Sequence, residues 1–167
     1  ILHLVAKGRL DDAARFADEL VTRSPDSAIA HNLLGLIHLK GNRIESAKSA
    51  FEAAVRLDQS FFPAALNLSQ LDVAVGDIES AKQRFESLLQ ARPEEFRAQI
   101  AISQLEQARG DNVAAAMRLE EAISKSPDST ALYFELIPHY LRRTESANYE
   151  RAEKLAESLL SKVPKNE

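Results

Sequence analysis

Proline marks this chain at a fixed interval. Pro93 and Pro127 stand 34 residues apart, and the same step back from Pro93 reaches Gln59 and then Pro25. The next marker, Pro164, follows 37 residues after Pro127, which implies a three-residue insertion. Between the markers a triple recurs with offsets of four and seven: Ala13/Ala17/Leu20, Ala47/Phe51/Ala54, Ala81/Phe85/Leu88, Ala115/Leu119/Ala122 and Ala152/Ala156/Leu159. Those offsets place three side chains on one face of a helix. In all five blocks the last member lies five residues before the proline position. A period of this length is the mark of a repeat architecture, in which each unit buries its apolar face on its neighbours.

Upstream of each such helix lies a second amphipathic segment, set off by Gly8-Arg9, Gly41-Asn42-Arg43, Gly76-Asp77 and Gly110-Asp111. Glycine after a helix suits a left-handed C-cap, and Asn or Asp beside it can cap the next helix. The prolines stop the second helix. Helix pairs are therefore expected near 28–40/44–57, 62–75/78–91, 96–109/112–125 and 130–143/149–162, led by a helix near 10–23 and a stub. Only five glycines and 6% aromatic residues agree with close-packed helices rather than hairpins. The formal net charge of −4 argues against a nucleic-acid binder held by phosphate neutralisation. With no cysteine, disulfides, iron–sulfur clusters and thiolate chemistry are excluded. No stretch approaches the roughly 18 to 20 apolar residues of a membrane span.

A 34-residue helix–turn–helix with a small residue at position 8, Ala at 20, an aromatic at 24, Ala at 27 and Pro at 32 resembles the tetratricopeptide repeat. Residues 28–61 match best, with Leu34-Gly35, Ala47, Phe51 and Ala54; residues 62–95 carry Leu68-Ser69, Ala81, Phe85 and Pro93; residues 96–129 carry Ile102-Ser103, Ala115, Ala122 and Pro127. The resemblance implies an all-α, right-handed superhelix over residues 1–167. Residues 1–27 form a shortened first repeat, and 130–167 a divergent last one. His31, Ala65, Gln99 and Tyr133 replace the Trp favoured at position 4. In the last repeat Ile137 takes the small position and Pro138 follows it, so a kink and a longer bend around Thr144–Asn148 are expected. The chain starts at Ile1 and has no polar capping helix, which suggests excision from a longer array. Leu155, Leu159 and Leu160 would then be partly uncovered, and the ends are candidates for self-association.

In such proteins the first helices line a concave groove, mainly through positions 2, 5, 9, 12 and 13. Carried onto this sequence, the groove residues are Asn32, Leu36, Lys40, Leu66, Gln70, Val73, Arg97, Ile100, Gln104 and Gln107, with Ile29, Phe134 and Leu141 at matching places. Amides can bond a peptide backbone while apolar patches hold its side chains, so the implied partner is a protein or peptide. The carboxylate clamp of the chaperone-binding members is not met. Asn67 and Arg97 fit it, but Asn32, Leu36 and Ala101 occupy the other three places.

No glycine-rich phosphate loop, zinc-protease motif or nucleophile elbow occurs. His31 and His38, about two turns apart, are too distant to chelate one metal. Asp11/Asp12 and Glu120/Glu121 read as solvated faces. No catalysis, cofactor or metal is expected. The phrasing around residues 46–95 and 119–143 also resembles the repeat lipoproteins of the bacterial PEP-CTERM/exosortase system, associated with exopolysaccharide gene clusters. That implies a scaffold in the periplasm or at the outer membrane, lipid-anchored upstream. The alternatives are the interaction part of a larger enzyme such as a glycosyltransferase, or a cytoplasmic adaptor.

Overall fold

A computed structural model describes residues 1–142 and 146–162. Among these residues ten helices and no strand are present. They are α1 (Leu2–Ala6), α2 (Leu10–Arg23), α3 (Ala28–Lys40), α4 (Ile44–Leu57), α5 (Phe62–Ala74), α6 (Ile78–Ala91), α7 (Phe96–Ala108), α8 (Asn112–Lys125), α9 (Thr130–Leu141) and α10 (Ser146–Lys162). Two compact units emerge, Ile1–Arg92 and the part from Pro93 onward. Within each unit every helix packs on the next in the chain, and α7 also touches α9.

The period is written in the turns inside each helix pair. Among the described residues those with positive φ are Gly8 (72°), Asn42 (56°), Gly76 (82°) and Gly110 (84°), spaced by 34. At each, the next amide donates to a carbonyl five residues back: Arg9 to Leu4, Arg43 to His38, Asp77 to Asp72 and Asp111 to Glu106, all at 2.9 Å. This six-to-one bond is how a left-handed residue closes a helix C-terminus. In the second turn Asn42, and not Gly41 (φ −84°), is the left-handed residue, a correction to the glycine reading. Asparagine tolerates this region better than most side chains. Asp77 and Asp111 do cap the helices that follow, accepting from the amides of Ser80 and Ala114. Arg9 and Arg43 stand at the equivalent places without a side-chain cap.

Pro25, Pro93 and Pro127 sit two residues beyond the second helices. The residues before them, Ser24, Arg92 and Ser126, have φ between −133° and −144°, as proline demands of its predecessor. Asp58 takes the same conformation before Gln59. The turn is thus a property of the repeat, which proline reinforces. Pro164 lies outside the described residues.

The recurring triples form the core. Ala47, Phe51 and Ala54, Ala81, Phe85 and Leu88, and Ala115, Leu119 and Ala122 are all buried, whereas Leu20 at the start of the chain is exposed. Position 8 explains the small residues. A Cβ built on Gly35 would lie 2.4 Å from Cε1 of Phe51. In the next two repeats Ser69 and Ser103 donate their hydroxyls to the carbonyls of Ala81 and Ala115 on the paired helix, at 3.2 and 3.1 Å. Those short bridges require the two helices to approach closely, and the buried alanines permit it.

The last repeat departs from the expected boundaries. α10 starts at Ser146, 34 residues after the start of α8, and extends 17 residues where the other second helices have 14. The three inserted residues therefore lengthen a helix by nearly one turn, and residues 146–148 are helical rather than part of a bend; 144 and 145 lie outside the described residues. Pro138 is accommodated inside α9, which runs on to Leu141. Its missing amide hydrogen spares a carbonyl at Phe134, an exposed residue where water can replace the bond. Leu159 is buried and Leu155 half-buried, while Leu160 is 72% exposed.

Candidate functional site

In the first unit the groove residues lie on α3 and α5. Leu36, Lys40, Gln70 and Val73 are exposed and Leu66 half-buried, with Ile29 standing 68% exposed at the start of α3. The side chains of Lys40 and Gln70 have no hydrogen bond or ion pair among the described residues. Asn32 is different: it is buried, and its Oδ1 accepts from Nδ2 of Asn67 at 2.8 Å. Asn67, which fits the middle place of the clamp, is thus bonded to Asn32 across adjacent repeats. Such a pair is spent on register between α3 and α5 because a buried amide must be satisfied.

In the second unit Arg97 and Gln104 are exposed, Ile100 and Gln107 half-buried. Arg97 is held by Glu95, whose buried carboxylate receives Nε at 2.7 Å and Nη2 at 2.6 Å and also caps α7 through the Arg97 amide. The hydrogen bonds to Glu95 keep the guanidinium pKa above its ordinary value. Gln104 donates to Glu135 on α9 at 3.2 Å. Ile100 packs on the cluster of Leu119, Leu132 and Leu136. Phe134 and Leu141 are exposed on α9. The predicted residues therefore divide into exposed apolar and amide groups that can meet a ligand and groups already committed to neighbouring helices.

A repeating ion pair was not anticipated. Asp72 is buried and receives Nε and, at 3.3 Å, Nη2 of Arg84. Twelve residues likewise separate Glu106 from Arg118, which reaches it through Nη2 at 3.0 Å. Both pairs cross from the first helix to the second of one repeat. Pairing and hydrogen bonding are what make a buried carboxylate tolerable. The signal available in the sequence was the acid-to-arginine spacing of twelve, repeated after 34 residues. In the preceding repeat the same place holds His38, whose Nδ1 accepts from Nε of Arg43 at 3.1 Å, and Arg43 also bridges to Asp11 at 2.7 Å.

Burial, and then the Arg43 guanidinium, push the His38 pKa below the usual imidazole value. The folded form therefore binds fewer protons than the unfolded chain just below about pH 6.5. The contribution of His38 is complete above that pH and lost as pH falls. The melting temperature should drop on acidification from about pH 7 to 5, and His38→Gln should flatten that part of the profile. An unchanged slope in the variant would remove this assignment.

Of the two acid pairs read as solvated faces, Asp11, Glu120 and Glu121 are exposed and Asp12 half-buried, and each has a partner: Asp11 meets Arg43, Asp12 meets Arg9 and Arg15, Glu121 meets Lys125, and Glu120 accepts the hydroxyl of Tyr140. Burial and that bond push the Tyr140 pKa up to about 12. His31 bonds the Pro25 carbonyl at 2.9 Å and His139 is buried. Among the described residues no three His, Asp or Glu side chains gather to hold a metal, and no helix is long and apolar enough to cross a membrane.

These paired helices, small residues at the crossing and left-handed turns spaced by 34 define a helical repeat protein of the interaction class. The tetratricopeptide repeat family model matches residues 1–61 and 66–130, and the chain belongs to that family. Solved structures agree in fold. PilF of Pseudomonas aeruginosa superposes with a TM-score of 0.69 at 16% identity, covering 99% of this chain and 74% of that one. MamA from Desulfovibrio magneticus RS-1 gives 0.65 at 13% identity over 96% and 89%. YrrB, described as a TPR protein with an unusual peptide-binding site, gives 0.59 at 16% over 98% and 82%. A comparison with curated proteins found no match.

Proposed function

We propose that the chain is a non-catalytic scaffold that holds an extended peptide segment of a partner protein on the exposed faces of its first helices. The observation that carries this is the combination of exposed Leu36 and Val73 with the unengaged side chains of Lys40 and Gln70 on α3 and α5. Apolar side chains there can receive those of the ligand, while Gln70 both donates to and accepts from its backbone. In the second unit the exposed Phe134 and Leu141 and the half-buried Gln107 supply the same chemistry, while Gln104 is held by Glu135. Membership of the tetratricopeptide family and the peptide site of YrrB support a protein or peptide partner. The likeness to PEP-CTERM repeat lipoproteins supports a place in a bacterial envelope system linked to exopolysaccharide production or protein sorting.

The test is affinity capture in the native host with Leu36→Glu/Val73→Glu, carried out separately on envelope and cytosolic fractions. Exposed substitutions change stability by about 0.5 kcal/mol or less, so the melting temperature should hold while capture is lost. Undiminished capture would rule out the first-helix face, and a protein confined to the cytosolic fraction would rule out the envelope setting.

A further inference from the structure

In the second unit α8 and α10 flank an open cleft of about 440 Å³ whose floor is formed by Leu136 and Tyr140 of α9. Ile123 and Leu155 form its walls, half-buried and packed on the surrounding core. This place in the repeat has lost its ion pair. Tyr140 stands 34 residues after Glu106, and Leu155 stands 37 after Arg118, so two apolar-bodied residues replace the acid and the arginine. In the first unit the comparable cleft between α4 and α6, of about 520 Å³, is lined by Val55 and by Arg84, which is bound to Asp72, so a guanidinium stands where Leu155 stands here. The α8–α10 cleft is left apolar inside and cationic at its edge. Lys154 is exposed, with no ion pair among the described residues, and the Arg151 guanidinium lies 5.7 Å above the Tyr140 ring. The one carboxylate of the lining, Glu120, already accepts the Tyr140 hydroxyl.

We propose that this cleft is a second peptide-docking site, which takes an aliphatic or aromatic side chain against Ile123, Leu136 and Leu155 and an adjacent acidic residue on Lys154 and Arg151. Its volume falls in the range of about 300–1,000 Å³ usual for ligand sites, most of which are apolar with a few placed charges. The cleft is open along a rim of exposed Glu120, Arg151 and Lys154, which suits a surface-bound chain segment rather than an enclosed acyl chain. Charge complementarity selects the acidic neighbour.

The experiment uses the whole chain with isotope-labelled methyl groups and the end-blocked hexapeptide Gly-Glu-Leu-Phe-Glu-Gly. Titration should move the methyl signals of Ile123, Leu136 and Leu155. A hexapeptide with lysine in place of both glutamates, or serine in place of Leu and Phe, should leave them still. Lys154→Glu, an exposed change, should weaken binding about fivefold, the upper range for an exposed ion pair. The site is refuted if the lysine peptide moves the same methyls equally, if the acidic peptide moves none of them at millimolar concentration, or if Lys154→Glu binds as the parent does. None of these outcomes depends on the Leu36 and Val73 face, so the two sites fail separately.

Discussion

Gly35→Leu should destabilise the protein by about 3 kcal/mol, at the upper end for overpacking a core. The Cβ alone would stand 2.4 Å from one carbon of the Phe51 ring and 2.5 Å from another, and that ring is fully buried. Helix propensity acts in the opposite direction, since glycine is about 1 kcal/mol worse than alanine inside a helix. Any loss in Gly35→Ala therefore comes from the ring contact. Phe51→Ala should cost about 3–5 kcal/mol through the cavity it leaves. In the double variant Gly35→Leu/Phe51→Ala the new side chain enters the space vacated by the ring. The stability lost in the double variant, measured by chemical denaturation, should then be well below the sum of the two single losses. Strict additivity of the two changes would show that Gly35 is not small for the sake of Phe51.

The second large effect is at Ala81. It is fully buried on α6, and its carbonyl receives the Ser69 hydroxyl from α5. Ala81→Leu adds a branched side chain at the point where the two helices meet, separating them and breaking that bridge. The expected cost is about 1–3 kcal/mol. Ala74→Leu, on an exposed residue at the end of α5, is the control and should change stability by no more than about 0.5 kcal/mol. Chemical denaturation measures both. A neutral Ala81→Leu would mean that position 20 is not the crossing point and that the repeat register is misplaced.

The helix pairs were legible because their signals are local. An apolar triple with offsets of four and seven defines one helix face whatever surrounds it. A proline constrains the residue before it without any help from tertiary contacts. For that reason α3, α4, α6 and α8 begin and end where the periodicity puts them. Misreadings arose where two local solutions were equally available. Gly41 and Asn42 can both adopt a left-handed conformation, and the shared bond from the next amide to a carbonyl five residues back places it at Asn42. Three extra residues can lengthen a loop or a helix, and the backbone of α10 takes the second course.

The candidate site was legible only as a set of positions. Repeat numbering assigns Asn32 and Gln70 similar prospects, yet one is buried against Asn67 and the other stands exposed. Whether an amide binds a ligand or a neighbouring helix depends on what lies across the adjacent repeat, and that distance is set by packing. The same holds for the charges: Arg97 belongs to Glu95, while Lys40 remains available.

The sequence by itself determined the period, the helix pairs, the residues at their crossing and the family, because each rests on spacing along one chain. Tertiary structure alone decided which polar groups are spent. It assigned Asp72 to Arg84 and Glu106 to Arg118, and it left the cleft over Tyr140 without such a pair. A buried charge or amide must find its partner within about 3 Å, and only the packed helices bring those atoms together.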